Sequence, residues 1–404
     1  MGRLRVMSGL NVAIVGAGIG GLTAAIALDR RGVNVAVYEK AHELKELGAG
    51  VVIGANGALV YDSLGLGDSL VAIAGNVSTL RQGPLTFAPW TIKTWQDEPL
   101  PGWRPPYAAA QTYPLHRAEF QNMLLAALPP GTVHLGHECV AAVEDGEGVR
   151  IEFADGSNAR ADVLIGADGI HSVIQTVVGA KSDPVSEGIM AYRGLIPAGR
   201  LDGIYDMSLM SMWVGPGQSF LTFPVSAGKM LNLVGFVPTN LDVEESWSAP
   251  GDVAALAAAY DGWNKQVRQI IEAMDHTFRW GIYDRVPLKT WSTDRITLLG
   301  DAAHAVTPHL GQGANQAVED AITLAVLLQD AQAADIPVRL RCYENLRIER
   351  TREVHDGSRE AGALYRSTEL SPGQQAERIV AINDRLQLDT HDAERIANDA
   401  LAVL

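Results

Sequence analysis

The sequence is poor in cysteine and has no apolar run long enough to cross a bilayer. Cys139 and Cys342 are the only cysteines among 404 residues and stand in no metal-ligand spacing, so we predict neither a disulfide framework nor a bound metal. The longest apolar stretch, around residues 324–328, is far shorter than a transmembrane helix. Residues 1–10 carry two arginines but no signal-peptide core. We therefore expect a cytoplasmic protein that is neither exported nor inserted in a membrane.

Positive charge is also scarce. Lysine and arginine total 32 against 47 aspartates and glutamates, a formal charge of −15, which argues against a nucleic-acid surface. An anionic ligand must then meet local cations or backbone N–H groups. The length of 404 residues, the 47% hydrophobic content and the 41 glycines indicate a compact α/β protein with two or more domains.

A glycine-rich segment near the start has the context of a dinucleotide-binding fingerprint. Gly16-Ala17-Gly18-Ile-Gly-Gly21 follows an apolar run at residues 12–15 and precedes apolar residues at helical spacing. Side chains there would hold a pyrophosphate away from the helix N-terminus. Glu39 falls 23 residues after Gly16, close to the ~20 expected for the acid that accepts the ribose hydroxyls.

Two further glycine motifs follow in a fixed order, Gly166-Ala-Asp168-Gly169 and Gly300-Asp301. Each is suited to a close approach of backbone to a large phosphorylated cofactor. Their spread along the chain implies that segments remote in sequence hold one cofactor, and we interpret the protein as a flavoprotein.

The pattern of predicted secondary structure changes along the chain. Residues 11–180 alternate strand and helix signals, whereas strands are predicted at 189–196, 208–214, 219–225 and 230–237, separated by hairpin-turn residues. One helix is expected at 253–273, a buried strand at 295–299, and an amphipathic helix with a stripe from Ala317 to Leu328. Beyond residue 335 we interpret a run of arginines as a solvated helix face, namely Arg339, Arg341, Arg347, Arg350 and Arg352.

The ordered set of motifs resembles the class A flavoprotein monooxygenases, the FAD-dependent aromatic hydroxylases typified by para-hydroxybenzoate hydroxylase. The resemblance rests on the three glycine motifs, on Arg117 after His116, and on the segment from Leu299 through His304 and Pro308 to Asn315. It covers roughly residues 10–355. Within the family, Gly48-Ala-Gly50-Val51, Ala191-Tyr-Arg-Gly194, residues 221–225 and Pro308-His309 look like the salicylate hydroxylase branch.

This resemblance implies an α/β fold: a Rossmann-like FAD-binding domain, an inserted, mostly antiparallel substrate domain and a C-terminal helical segment. We expect the FAD-binding domain at 10–75, 105–180 and 282–330, the substrate domain at 76–104 and 181–281, and the helical segment at 331–404. FAD would be the cofactor, with NADH or NADPH as co-substrate. The cofactor-binding residues would be Gly16, Ala17, Gly18, Gly21, Glu39, Lys40, Val51, Arg117, Asp168, Gly169, Asp301, Pro308, Gly311, Gly313, Ala314 and Asn315.

One position departs from the family pattern. The family usually places an arginine three residues after the serine that follows its Asp-Gly motif, and here that position is Gln175. Glutamine lacks the charge and the fork geometry of arginine, so the nicotinamide step is where this chain differs from the resemblance.

The implied reaction is hydroxylation of a small phenolic or aromatic acid by O2 through a flavin C4a-hydroperoxide. His309, in the loop expected to pass the flavin ring, is our candidate base; a loop-fixing role is the alternative, and His304 is expected to hold the cofactor loop. Arg193 is our candidate partner of a substrate carboxylate; the alternatives are a structural ion pair or a place on the path of the nicotinamide. Tyr192, Met212, Trp213 and Phe223 are the candidate pocket walls, although at least half of them are expected to fill the core.

Other functions stay open at this point. A flavin-dependent oxidase, reductase or epoxidase of the same fold would act on a larger, non-benzoate substrate. A nicotinamide dehydrogenase would use the fingerprint for NAD but would leave Gly300-Asp301 unexplained. A non-catalytic FAD-binding protein is the third alternative. We expect the protein to be a monomer or a homodimer.

Overall fold

The computed structural model describes residues 9–44, 50–74, 90–103, 112–240 and 249–404. The strands are β1 Asn11–Val15, β2 Asn34–Glu39, β3 Gly50–Ile53, β4 Trp90–Thr94, β5 Tyr113–His116, β6 Val133–Leu135, β7 Cys139–Glu144, β8 Val149–Phe153, β9 Asn158–Ala161, β10 Val163–Gly166, β11 Pro184–Pro197, β12 Met210–Gly215, β13 Gln218–Val225, β14 Met230–Pro238, β15 Ala249–Gly251, β16 Thr277–Arg285 and β17 Ile296–Leu298. The helices are α1 Ile19–Arg30, α2 Ala55–Ser63, α3 Gly67–Ile73, α4 Arg117–Ala126, α5 Ile174–Val177, α6 Val253–Ala259, α7 Lys265–Glu272, α8 Asp301–His304, α9 Gly313–Leu328, α10 Ile336–Tyr365, α11 Pro372–Leu386 and α12 Ala393–Leu401.

A parallel sheet holds the glycine fingerprint. Its strand order is β17-β10-β1-β2-β6, so β1, which leads into the fingerprint, lies at the centre. Every residue of β1 after Asn11 is buried, as expected for a parallel strand covered on both faces. The fingerprint turn is tight: Gly16 has φ +109°, and a Cβ on Gly21 would lie 2.0 Å from the carbonyl oxygen of Gly16. The α/β fold class predicted from the sequence is confirmed.

A second, seven-stranded sheet has the order β15-β16-β11-β14-β13-β12-β4. Its pairs are antiparallel except β4 with β12. Helices α6 and α7 pack on one face, around Trp213, Phe220, Tyr260 and Trp263; the opposite face turns toward the parallel sheet. The division into domains at the expected boundaries stays a prediction.

The single helix expected at 253–273 is wrong, because the chain forms α6 and α7 with a turn between them. Gly262 adopts φ +80° in that turn, a conformation that ends a helix with little strain only at glycine. Asn264 then caps α7 by accepting a hydrogen bond from the N–H of Val267 at 3.0 Å.

We expected α9 to be amphipathic, but it is not: every residue from Asn315 to Leu328 is buried. The helix is covered by α1, α2, α10 and α12. It carries two interior acids, Glu319 and Asp320, which are fully buried. Burial of two carboxylates is costly unless cations and hydrogen bonds compensate them.

The compensating cation is Arg347 of α10, which we expected on a solvated face. Its side chain is 2% exposed; Nε donates to Asp320 Oδ1 at 2.7 Å and Nη1 to Glu319 Oε2 at 2.6 Å. Arg350 is also largely buried, with its Nε 3.7 Å from Glu319 Oε2, whereas Arg341 is exposed and the side chain of Arg352 is 42% exposed. The sequence alone does not distinguish the buried arginines of α10 from the exposed ones, because only the packing of α10 on α9 removes Arg347 and Arg350 from water.

Among the described residues, no helix is long and apolar enough to cross a membrane.

Replacement of Arg347 by methionine is expected to destabilise the protein by about 3–5 kcal/mol, since it removes the guanidinium that hydrogen-bonds to both buried carboxylates. Urea unfolding of the FAD-loaded protein measures this change. The matched control is Arg352→Met, which breaks only an exposed pair with Glu349 and should change stability by less than about 0.5 kcal/mol. Equal effects of the two variants would contradict the role assigned to Arg347.

Candidate cofactor and substrate site

A cavity of about 350 Å³ lies between the fingerprint, β3, the N-terminus of α9 and the large sheet. It is lined by ten of the predicted cofactor-binding residues: Gly18, Gly21, Val51, Arg117, Gly169, Asp301, Pro308, Gly311, Gly313 and Ala314. All three glycine motifs therefore border one cavity, although they lie far apart in sequence.

Two helix N-termini open onto this cavity. Helix α1 starts directly after Gly18, and α9 starts at Gly313. Apart from its chain neighbours, no heavy atom of the described residues lies within 4 Å of the position that a Cβ on Gly18 would take, so the backbone there borders open space. Free N–H groups and the helix dipole favour negative charge at such ends. Arg117 adds a guanidinium to the same wall.

The other predicted cofactor-binding residues are Gly16, Ala17, Glu39, Lys40, Asp168 and Asn315, and they do not line the cavity. Glu39 is the last residue of β2, and its carboxylate accepts hydrogen bonds from the N–H groups of Ala17 and Ala41, both at 2.9 Å. Glu39 thus supports the fingerprint turn, while Lys40 is exposed. Contacts of Glu39 and Lys40 with adenosine stay predictions.

Asp168 organises the second glycine motif. Its carboxylate accepts hydrogen bonds from Ser172 Oγ at 2.6 Å and from the N–H of Val173 at 2.7 Å, and burial raises its pKa. Gln175, at the position where the family usually has arginine, is buried and donates from Nε2 to the carbonyl of Ala302 at 2.7 Å. Here the glutamine ties this turn to α8, which starts at Asp301.

Asn315 acts through its side chain as a clamp between loops. Its Nδ2 donates to the carbonyls of Val52 and Gly311, at 3.0 and 2.8 Å, and its Oδ1 accepts from the N–H of Gly54 at 2.9 Å. The clamp holds β3 against the start of α9. Contact between the Asn315 backbone and the flavin stays a prediction.

The large sheet supplies the remaining wall of the cavity. Arg193, Val234 and Leu221 form one row across β11, β14 and β13 and point to the cavity, as do Phe223 and Phe236. The guanidinium of Arg193 lies 4.1 Å from the ring centroid of Trp280, a cation–π contact that fixes its orientation. The wall residues that sequence reasoning missed include Leu221, Val234, Phe236, Trp280 and Arg285.

Three of the predicted pocket walls are corrected. Tyr192 and Trp213 lie on the opposite face of the sheet, in the core with α6 and α7, because neighbouring residues of a strand point to opposite faces. Met212 shares the cavity face but packs beneath α10 and α11, with Val354 and Tyr365. Strand alternation taken from Phe223 would have identified Leu221 on the same strand, whereas Val234 and Phe236 also require the register between β13 and β14.

His309 is buried and is not one of the cavity-lining residues, and its role as a base toward the substrate stays a prediction. Its Nε2 lies 2.7 Å from Glu187 Oε2, and its ring packs on Phe236, with centroids 5.2 Å apart. Burial lowers the pKa of His309, although Glu187 opposes this shift. His304 places Nε2 2.5 Å from Asp320 Oδ2, and Asp320 also accepts from the N–H of Gly300, as a residue that holds the cofactor loop would.

The family described as "FAD binding domain" matches residues 9–358 of this chain. The chain belongs to this family and is an FAD-dependent monooxygenase of the aromatic hydroxylase class. It is 38% identical over 359 residues to a 3-amino-4-hydroxybenzoate 2-monooxygenase of Streptomyces platensis, covering 87% of each chain.

Two solved structures extend the similarity. A salicylate hydroxylase substrate complex matches with a TM-score of 0.84 and 30% identity, covering 97% of this chain and 98% of the other. Klebsiella pneumoniae HpxO complexed with FAD and uric acid matches with a TM-score of 0.78 and 28% identity, covering 99% and 98%. The dehydrogenase alternative is thereby set aside.

The cavity suits FAD on its own geometry. An open glycine backbone at the start of α1 accommodates a pyrophosphate, and Arg117 supplies positive charge. Asp301 offers acceptors for hydroxyl groups, and the start of α9 at Gly313 and Ala314 offers N–H donors for an electron-rich ring edge.

Replacement of Gly18 by valine is expected to leave the fold intact and to abolish most FAD binding. The backbone at Gly18 is extended (φ −72°, ψ −178°), which valine accepts, but its side chain would enter the space needed by the pyrophosphate. Flavin absorbance of the purified protein and titration with added FAD measure the effect. Gly199→Val is the control, since Gly199 also has open space around it but lies outside the cavity. Full flavin content in Gly18→Val would refute the assignment.

Proposed function

We propose that the protein hydroxylates a small hydroxylated aromatic acid, using NADH or NADPH and O2, and that Arg193 binds the carboxylate of this substrate. The observation that carries the proposal is the position of the Arg193 guanidinium beside four apolar wall residues. These are Leu221, Phe223, Val234 and Phe236, which suit the faces and edges of a single aromatic ring.

The electrostatics of the cavity support an anionic ligand. Arg117, Arg193 and Arg285 line it, whereas Asp301 is the single acid among the described lining residues. This local excess of positive charge contrasts with the formal charge of −15 for the whole chain. Arg193 presents a planar fork that matches a carboxylate. The relatives act, by their names, on 3-amino-4-hydroxybenzoate and on salicylate, both of which are hydroxybenzoates.

The residues of the site perform positioning rather than covalent chemistry. FAD supplies the redox chemistry when bound, and the protein determines which ring position faces it. Arg193 fixes one end of the substrate, the apolar wall excludes water, and the ring thereby takes one orientation. A cytoplasmic location and a monomeric or homodimeric state remain part of this proposal.

The test compares 3-amino-4-hydroxybenzoate and salicylate with ring-matched phenols that lack the carboxylate. NADH and NADPH oxidation, O2 uptake and product formation are followed together. We expect a carboxylated phenol to stimulate NAD(P)H oxidation and to yield a product with one added oxygen. A yellow protein that no hydroxybenzoate stimulates would refute the substrate class and favour a larger, non-benzoate substrate.

Arg193→Met is expected to raise KM for the carboxylated substrate by about 10–100-fold, since hydrogen bonds to a charged group contribute about 1.5–3 kcal/mol. The carboxylate-free phenol should be unaffected, and Arg193→Lys should recover part of the loss. Arg279→Met is the matched control, because Arg279 pairs with Tyr192 on the neighbouring strand and is exposed. An equal KM increase for both kinds of substrate would show that Arg193 does not contact the carboxylate.

A further inference from the structure

One face of α10 holds the turn at residues 307–311, two residues of which line the cavity. Thr307 Oγ1 donates to Ser358 Oγ at 3.0 Å, and Ser358 Oγ donates to the carbonyl of Thr307 at 2.7 Å. Gly362 lies against His309, and Arg366, directly after the helix, places Nη1 3.3 Å from His309 Nε2. Positions 358, 362 and 366 are four residues apart, so they share one face.

Glu187 of β11 closes the other side of His309. Its Oε2 lies 2.7 Å from His309 Nε2, and its Oε1 accepts from Arg366 Nη2 at 2.9 Å. The side chains of Glu187 and Arg366 are only 15% and 11% exposed, so this pair is shielded from solvent. Glu187 projects where the pairing of β11 with β16 is irregular, and Gly188 beside it has φ +68°. We call Glu187, Ser358, Gly362 and Arg366 the His309 seat.

The glycine of the seat is required by close packing. A Cβ on Gly362 would lie 2.3 Å from His309 Cδ2 and 2.9 Å from Glu187 Oε1, distances that real contacts do not reach. Glycine inside a helix costs about 1 kcal/mol relative to alanine. The close contact with His309 explains why glycine occupies position 362 in spite of this cost.

The seat bears on the reaction through the neighbours of His309. Pro308 and Gly311 line the cavity on either side of His309 and Leu310, and α9 starts two residues after Gly311. A shift of His309 would move this wall relative to the start of α9. The wall would then exclude water less well and would orient the substrate less strictly.

We propose that Glu187, Gly362 and Arg366 are positioning residues, which hold His309 and so fix the turn 307–311 for efficient coupling of NAD(P)H oxidation to hydroxylation. In the coupled reaction, NAD(P)H, H⁺, O2 and the aromatic ring give NAD(P)⁺, water and the hydroxylated ring. In the uncoupled reaction, NAD(P)H, H⁺ and O2 give NAD(P)⁺ and hydrogen peroxide. The seat determines the ratio of the two, and this part rests on the proposed function.

The first experiment tests the seat without activity. Gly362→Ala is compared with Gly373→Ala, since a Cβ on Gly373 of α11 would meet no heavy atom within 4 Å in the part of the chain that the structure describes, its own helix backbone and chain neighbours apart. Hydrogen exchange of the FAD-loaded proteins is expected to be about tenfold faster at residues 307–311 in Gly362→Ala alone, as a locally less stable segment opens more often. Exchange in α1 should stay the same in both variants. Unchanged exchange at the turn in Gly362→Ala would overturn the proposal.

The second experiment addresses coupling. Glu187→Ala is expected to raise the peroxide formed per NAD(P)H several-fold and to alter the visible circular dichroism of bound FAD. Glu187→Gln should restore part of both, because its amide still forms hydrogen bonds. Glu360→Ala is the control: Glu360, elsewhere on α10, forms an exposed pair with Arg385 of α11, and its loss should change neither quantity.

The double variant Glu187→Ala/Gly362→Ala should be no more uncoupled than the worse single variant, since both changes release the same residue. Additive effects, or faster exchange with unchanged peroxide, would overturn the coupling role. If no aromatic acid stimulates the wild-type protein, the proposed function fails, while hydrogen exchange and the flavin spectrum still test the seat.

Discussion

The buried guanidinium of Arg347 is the interaction on which the cofactor side of the cavity depends. The Arg347 side chain extends from α10 to α9 and compensates the negative charges of Glu319 and Asp320, two carboxylates without access to water. Asp320 in turn accepts the N–H of Gly300 and contacts His304. Although burial opposes ionisation, the charges of His304 and Arg347 lower the pKa of Asp320 to about 2. The carboxylate therefore stays charged and holds both ends of the Asp301 turn.

The same helix reaches the large sheet through separate polar contacts. His355 and Arg359 bind Asp284 near the end of β16, and the next residue, Arg285, lines the cavity. At its C-terminal end, Ser358, Gly362 and Arg366 hold the turn 307–311. A 30-residue helix is about 45 Å long, so α10 connects the parallel sheet, the large sheet and the turn along one stiff element. The relative position of these parts determines the cavity that they share.

The distribution of charge follows from this arrangement. The chain is acidic overall, yet three arginines and two helix N-termini face the cavity. Burial in a wall of low polarity strengthens the field of these groups within the cavity, while the acidic exterior contributes little there because solvent screens it. Anionic ligands are thus attracted to one place on a protein that otherwise repels them.

The sequence by itself determined the parallel-sheet fold, the FAD-binding motifs and the class of enzyme, because those features depend on local backbone. A tight turn such as that at Gly16 needs glycine whatever surrounds it, and ten of the predicted cofactor residues do border the cavity. Only the tertiary structure decided the rest. The contact of α10 with α9 decides which arginines of α10 are buried. The packing of the large sheet decides whether the face that carries Trp213 or the face that carries Leu221 borders the cavity. The orientation of His309 depends on Glu187, 122 residues away. Contacts between residues so far apart leave no periodic signal in one sequence, since each partner could equally face water or another part of the core.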